Sequence, residues 1–383
     1  MMRLPDSKLP GVGTTIFTVM SRLATEAGAI NLGQGFPDFQ PPDRLRELMA
    51  EHIAAGHNQY APMPGLPALC EAIAGQMNRR QGVAIDAARE VTITAGGTEA
   101  LFAAIHAVVR AGDEVILLDP AYDSYAPAAE LAGARVRRLP LRLPDFAIDY
   151  ARLAEAIGSR TRLLILNTPH NPAGAVLGAD DWRRIADLVE PTGAYVLSDE
   201  VHECLVYDGR RHMGVLSDAR LRERSFAVYS FGKAYNSTGW KVGYCVAAPA
   251  LTAEFRKVHQ FLTFSVSTPT QHAIADFMRE DPEFQDRLAP FYQTRRDRFA
   301  SLLAGSRFRL RPTAGTYFQL ADYSAISDEP DIDFCTRLVR EHGVAAIPLS
   351  PFCELPMSAR LLRFCFAKED STLVQAAERL ARA

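Results

Sequence analysis

Short apolar runs alternate with longer amphipathic stretches through the middle of the chain. The apolar runs predict strands at Val91–Thr94, Glu114–Leu118, Leu163–Leu166, Tyr195–Ser198, Phe226–Tyr229 and Gly243–Ala247. The stretches between them predict helices, among them Thr98–Arg110, Ser124–Leu131 and Asp180–Val189. This alternation reads as an α/β fold with a mainly parallel sheet flanked by helices. Uninterrupted runs such as LLIL suit strands covered on both faces. Beyond residue 282 the rhythm changes. One long amphipathic helix is expected over Glu283–Leu303. Short strands around Gly315–Ala321 and Leu361–Ala367 follow, with helices at Ile332–Glu341 and Leu373–Arg382. The expected organisation is a large domain over 46–282 and a smaller α+β domain over 283–383, with a loop-like N-terminal arm (1–45) joining the small domain.

Five of these strands lead directly into polar, Gly- or Pro-rich segments: AGGTEA, DPAYDSY, NTPHNPAG, DEVHE and SFGKAYNSTGWK. In open α/β sheets, ligands bind in the crevice at the carboxyl ends of the strands. At one segment, Gly96, Gly97 and Thr98 open a helix, where glycine admits close approach and free N–H groups favour an anion. Taken alone it is more often a plain turn than a phosphate site, and it is neither a dinucleotide fingerprint nor a Walker loop. Most lysines are solvated. Lys233, however, follows an apolar strand among small and aromatic residues, the setting of a desolvated Schiff-base amine. Ser230 and Lys241 add a hydroxyl and a charge suited to a phosphate. Asp199 and Glu200 are solvated loop carboxylates in the bland reading, or counter-ions to a cationic ring nitrogen in the sharp one. Asn167 and Asn171 offer amides to a ring substituent, and Tyr122 offers a stacking face. Together these are the parts of a pyridoxal phosphate site.

Composition narrows the classes that remain. Net charge is −3 from 42 basic and 45 acidic residues, which excludes a nucleic-acid coat. The six cysteines form no C-x-x-C pair and read as reduced, buried thiols, which suits a cytoplasmic protein. No signal core and no transmembrane run are expected, and no metal cluster is called for.

Longer motifs carry a resemblance over essentially the whole chain: NLGQGFPDF (31–39), NQYAPMPG (58–65), ITAGGTEALF (93–102), NTPHNPAG (167–174), SDEV (198–201), SFGKAYNSTGWKVGYCVA (230–247) and LRFCFAKEDSTL (362–373). On these the chain resembles the fold-type-I pyridoxal-phosphate aminotransferases, in the branch of the kynurenine/glutamine and bacterial methionine enzymes. The resemblance implies that Lys233 bonds the coenzyme and Asp199 pairs with its ring nitrogen. It implies that Asn171 bonds the ring hydroxyl and Tyr122 stacks on the ring. Gly97, Thr98, Ser230 and Lys241 then hold the phosphate, Tyr60 reaches the neighbouring subunit's phosphate in a homodimer, and Arg363 grips the substrate carboxylate with help from Asn171 and the backbone at Gly35. Ile16, Phe17, Phe36 and Tyr60 near the entrance imply an apolar, sulfur-containing or aromatic L-amino acid as donor, methionine favoured, with a 2-oxo acid as acceptor. One position departs from the family pattern. His202 stands where a tyrosine usually donates to the ring hydroxyl. A histidine there is also found in cystathionine β-lyases, so C–S β-elimination is the alternative reaction.

Overall fold

The computed structural model describes residues 6–355 and 357–383; residues 1–5 of the expected N-terminal arm lie outside the described residues. Its centre is a seven-stranded sheet built from β1 (Val91–Thr94), β2 (Glu114–Asp119), β3 (Arg135–Pro140), β4 (Thr161–Asn167), β5 (Tyr195–Asp199), β6 (Ser225–Ser230) and β7 (Gly243–Ala247). The spatial order is β1-β7-β6-β5-β4-β2-β3. β7 runs antiparallel to both its neighbours, and the remaining pairs are parallel. The carboxyl ends of β1, β2, β4, β5 and β6 therefore share one edge of the sheet with the amino end of β7.

Successive strand residues point to opposite faces, and both faces are covered. Val115, Leu117, Leu163, Ile165, Leu197, Phe226 and Val228 enter one apolar core. Their neighbours Ile116, Leu164, Leu166, Val196, Ala227 and Tyr229 enter the other. The first core is filled by the helix Gly97–Val108, which buries eight of its 12 residues and is apolar nearly all round, as a helix enclosed by sheet and partner helix must be. The helix Ala179–Val189 shows the other pattern: Trp182, Ile185, Ala186 and Val189 make one buried stripe. β3 was not among the expected strands. Its sequence RVRRLP alternates exposed and half-buried positions, the behaviour of a charged edge strand rather than a core one.

The smaller lobe is a four-stranded antiparallel sheet of β8 (Arg309–Leu310), β9 (Phe318–Asp322), β10 (Ile347–Pro348) and β11 (Leu361–Cys365), ordered β10-β11-β9-β8. Its apolar residues continue into the second core of the large sheet. Two expectations need correction. The arm up to residue 45 is not loop-like. It contains the helix Ile16–Glu26, capped by the Thr15 hydroxyl and buried through Met20 and Ala24. It also contains a short strand, Ile30–Asn31, pairing parallel with Val344–Ala345. The helix carries apolar residues at helical spacing (Ile16, Phe17, Val19, Met20, Leu23, Ala24), and packing against the small lobe holds these pieces. The stretch 283–303 is not one helix. A 3₁₀ turn, Phe284–Arg287, precedes the helix Leu288–Leu303. The turn brings Gln285 inward, where its amide donates to the Tyr235 hydroxyl (3.1 Å) and accepts from Arg80 (2.8 Å). All six cysteines are free, five buried and Cys353 half-buried. Among the described residues no helix is long and apolar enough to cross a membrane.

Candidate active site

The sheet edge that collects the strand ends opens into a cavity of about 760 Å³ of atom-free space, lined among others by Gly96, Gly97, Thr98, Tyr122, Asn171, Asp199, His202, Ser230, Lys233 and Lys241. Ten residues singled out from the sequence thus converge from five strand ends.

One end of the cavity is built for an anion. Gly96 adopts φ 81° immediately before the helix Gly97–Val108, whose first N–H groups have no intrahelical partner. A Cβ on Gly96 would stand 3.3 Å from Lys241 Nζ, so the ammonium lies over this turn. Lys241 itself adopts a left-handed conformation (φ 54°), sparsely populated for a side chain of this kind. Gly243 pairs with both Thr94 and Ser230. A Cβ there would meet the Tyr229 carbonyl oxygen at 2.6 Å and the Gly97 nitrogen at 3.0 Å. Only glycine lets the Gly96–Thr98 turn and Ser230 approach this closely.

At the other end sit the titratable groups. Lys233 lies on a one-turn helix after β6, and its Nζ donates to the Gly35 carbonyl at 3.0 Å. The Tyr317 hydroxyl donates to the same carbonyl at 2.7 Å. Burial lowers the Lys233 pKa to about 8, and the Arg363 and Lys241 charges push the same way. Asp199 ends β5 and is buried. Its Oδ2 accepts from the Tyr125 hydroxyl at 2.6 Å and its Oδ1 from the Val201 N–H at 3.2 Å. Burial pushes its pKa up to about 6, against these hydrogen bonds and Lys233.

The two alternatives left open by the sequence resolve geometrically. Glu200, one residue on, points to the opposite face. There it accepts from Ser198, the Tyr229 hydroxyl and the Val215 N–H and bonds His212, at 2.8–2.9 Å. Asn167 is spent on bracing: its Nδ2 donates to the Asp199 carbonyl (2.8 Å) and its Oδ1 accepts the Asn171 N–H (2.7 Å). Both asparagines line the cavity, and among the described residues only Asn171 keeps its Nδ2 unbonded.

Arg363, on β11, is fully buried. Its Nη1 donates to Asn171 Oδ1 (2.7 Å) and its Nη2 to the Gly33 carbonyl (2.9 Å), while its Nε has no partner. The guanidinium stacks 3.8 Å from the Phe318 ring centroid and 5.2 Å from that of Phe17. Burial lowers its pKa to about 10. Among the described residues no carboxylate pairs with this buried cation, which is costly unless an anion arrives to match it.

Further buried polar atoms lack partners at the cavity: both ring nitrogens of His202. His202 stands edge-on to Tyr317 and Phe318, and burial holds its pKa far below the usual value, so the ring is neutral with one N–H to donate. An anion turn, a buried carboxylate, a half-desolvated amine, an aromatic face at Tyr122 and an unpartnered N–H at His202 together fit pyridoxal phosphate.

Other expected residues lie outside this cavity wall. Tyr60 is 83% exposed and packs edge-on against Phe264. Phe17 contacts Arg363, and Gly35 presents its carbonyl to Lys233. A Cβ on Gly35 would strike the Phe318 ring at 2.8 Å, so this loop requires glycine for closeness. Sequence reading passed over Tyr125, Tyr317, Phe318 and Gly243. Tyr125 carried a signal, since it closes the strand-end segment DPAYDSY and opens the helix that follows. The other three carry none, because their partners are remote in the chain.

Comparison with known proteins agrees with this geometry. Residues 27–380 match the family "Aminotransferase class I and II". The chain is 53% identical to a methionine aminotransferase of Escherichia coli over 98% of each chain. A solved structure reporting a methionine aminotransferase function from that organism superposes with a TM-score of 0.98 over the whole of both chains, at 53% identity. It is 40% identical to a probable N-succinyldiaminopimelate aminotransferase of Mycobacterium tuberculosis, covering 98% of this chain and 97% of that one. It is 33% identical to a human kynurenine–oxoglutarate transaminase, covering 98% and 89%. Nothing in these relatives favours the β-lyase alternative. The chain therefore belongs to the class I and II aminotransferases: it is a pyridoxal-phosphate-dependent enzyme of fold type I that exchanges amino groups between amino acids and 2-oxo acids.

Proposed function

We propose that the amino donor is L-methionine, together with other apolar, sulfur-containing or aromatic L-amino acids, and that the enzyme works as a cytoplasmic homodimer. The observation that carries the donor class is the apolar surface beside the carboxylate arginine. Arg363 supplies a buried guanidinium for an α-carboxylate. The surfaces beside Arg363 are Phe17 and Phe318. The name of the E. coli relative supports methionine within that class. The dimer is supported by Tyr60, Phe261, Leu262 and Phe264, which form an exposed apolar surface. Tyr60 there is the residue assigned to the neighbouring phosphate. In the same reading 46–282 forms the coenzyme domain, and 283–383 with the arm 1–45 forms the domain that carries Arg363.

Pyridoxal phosphate, when bound, supplies an aldehyde that captures the amino group and a protonated ring that draws electrons away from Cα. The chain does the rest. Gly96, Gly97, Thr98, Ser230 and Lys241 would hold the phosphate, and Tyr122 would offer its face to the ring. Asp199 would hold the ring-nitrogen proton, because an adjacent carboxylate favours the charged form. Asn171 and His202 would donate to the ring hydroxyl. Arg363 and Asn171 fix the substrate carboxylate and so orient the Cα–H bond. Lys233 would bond the coenzyme aldehyde, and its free neutral amine would serve as the base that takes the proton from the substrate Cα. The same residues run in reverse with a 2-oxo acid, which makes the kinetics ping-pong.

A substrate panel tests this reading. Methionine, phenylalanine, glutamine, kynurenine, aspartate and cystathionine are each offered with and without a 2-oxo acid. Methionine turnover that requires the 2-oxo acid is expected. A preference for aspartate overturns the donor class. Pyruvate released from cystathionine without acceptor, faster than methionine transamination, restores the lyase.

A further inference from the structure

Away from the active site, three histidines meet between two packed helices. His52 lies in the last turn of Asp43–Ala54, His57 in the loop that follows, and His272 on the helix Thr268–Glu280. One ring nitrogen from each lies within 4.8 Å of the other two. The rings stack, with centroids 4.1–5.0 Å apart. All three are half-buried, which leaves one side open to water.

The hydrogen bonds define what this cluster offers. His52 Nε2 lies 3.0 Å from Asp276 Oδ2. A carboxylate accepts only, so Nε2 carries the hydrogen and a neutral His52 keeps its lone pair on Nδ1. That Nδ1 lies 2.8 Å from Nδ1 of His57. One hydrogen must sit between these two atoms, and in its absence two lone pairs face one another. His272 brings a third nitrogen, and Asp276, four residues on along the same helix face, stands behind His52. Arg279 holds the other oxygen of Asp276 at 2.9 Å. A carboxylate behind a ligating histidine is the usual support of an imidazole–metal bond.

We propose that His52, His57 and His272 form a three-histidine site for a zinc-class divalent cation, with water in the remaining position. The ion takes the place of the shared hydrogen: His57 moves its proton from Nδ1 to Nε2, so both Nδ1 atoms ligate and no net charge is lost. Tetrahedral bonds of about 2.0–2.1 Å put ligand nitrogens roughly 3.3 Å apart. The 2.8 Å pair must therefore open slightly and His272 close in, a rearrangement within reach of ring rotations. Imidazole ligands select zinc, copper or nickel over magnesium or calcium. The site would also tie down the loop that carries Tyr60. That loop is already held to the start of the second helix by Thr268 on the Gln59 carbonyl and Ser265 on the Ala61 carbonyl (3.0 Å).

The test uses untagged holoenzyme, stripped with a chelator, equilibrated with zinc and freed of excess by gel filtration. Metal analysis is expected to find one zinc per wild-type chain beyond what H57Q/H272Q retains, and zinc is expected to raise the Tm of wild type only. D276N, which leaves every ligand in place, is expected to bind about 10–100-fold more weakly by titration. Coenzyme absorbance in each variant reports that the fold persists. Equal zinc content in wild type and H57Q/H272Q overturns the site, as does a wild-type chain that retains none. If the double variant does not fold, D276N binding zinc with wild-type affinity overturns the proposal.

Discussion

Replacing Tyr125 by Phe removes one hydroxyl from the fully buried environment of Asp199 and leaves the ring volume unchanged. The lost hydrogen bond is 2.6 Å long and ends on a carboxylate whose only other donor among the described residues is the Val201 backbone N–H at 3.2 Å. A hydrogen bond to a charged group contributes about 1.5–3 kcal/mol. At 1.36 kcal/mol per unit, that raises the Asp199 pKa by about 1–2 units in the variant. The sign follows from which form the hydroxyl favours: it stabilises the carboxylate, so its loss favours the neutral acid. At a given pH a smaller fraction of Asp199 then holds the ring-nitrogen proton. Single-turnover reaction with methionine, followed by coenzyme absorbance, is expected to slow about 10–100-fold below about pH 6, a pKa shift of one unit being tenfold there, and to approach the wild-type rate above about pH 9. The acid limb of the profile is expected to move to higher pH, so the defect is worst at low pH. A Y125F enzyme with an unmoved acid limb and a rate within about twofold of wild type refutes the reasoning, for it would mean that burial and charge alone set Asp199.

Other outcomes follow from the same geometry. Lys233→Ala is expected to lose the coenzyme's bound-state absorbance and at least about 10²–10⁴ of the half-reaction rate, the usual share of a positioned acid–base group; spectra and single turnovers check both. With the Lys233 amine held near 8 by burial, its neutral form is the base that accepts the Cα proton, so that step should rise with pH and level off above about 8, seen by a deuterium-sensitive pH profile. Arg363→Lys keeps the charge but loses the planar fork, and KM for methionine should rise about 10–100-fold through loss of a charged hydrogen bond of about 1.5–3 kcal/mol, with a smaller effect on kcat. Gly243→Ala places a methyl 2.6 Å from the Tyr229 carbonyl. Overpacking of this kind costs about 1–3 kcal/mol, so a lower Tm and weaker coenzyme retention are expected.

Much of this protein was legible locally. Each central strand announces itself as an apolar run because a strand covered on both faces needs no polar residue, and Lys233, Asp199 and Asn171 follow those runs at the positions where a parallel sheet presents its ligands. Strand β3 was missed because an edge strand is free to be charged; the helix Ile16–Glu26 was legible in its apolar spacing and was passed over. Which of Asp199 and Glu200 faces the cavity, and which of Asn167 and Asn171 keeps its amide N–H₂ free there, was decided by strand alternation and by bonds made elsewhere, neither of which a linear motif records. The same holds for Tyr125 on Asp199, Phe318 over Arg363, Gly243 beneath the anion turn, and the three histidines gathered from positions 52, 57 and 272. The chain alone determined which chemical groups were available and the order in which they leave the sheet. Only tertiary packing decided which of them touch and which lose their water, because contact and desolvation belong to pairs of segments far apart along the backbone.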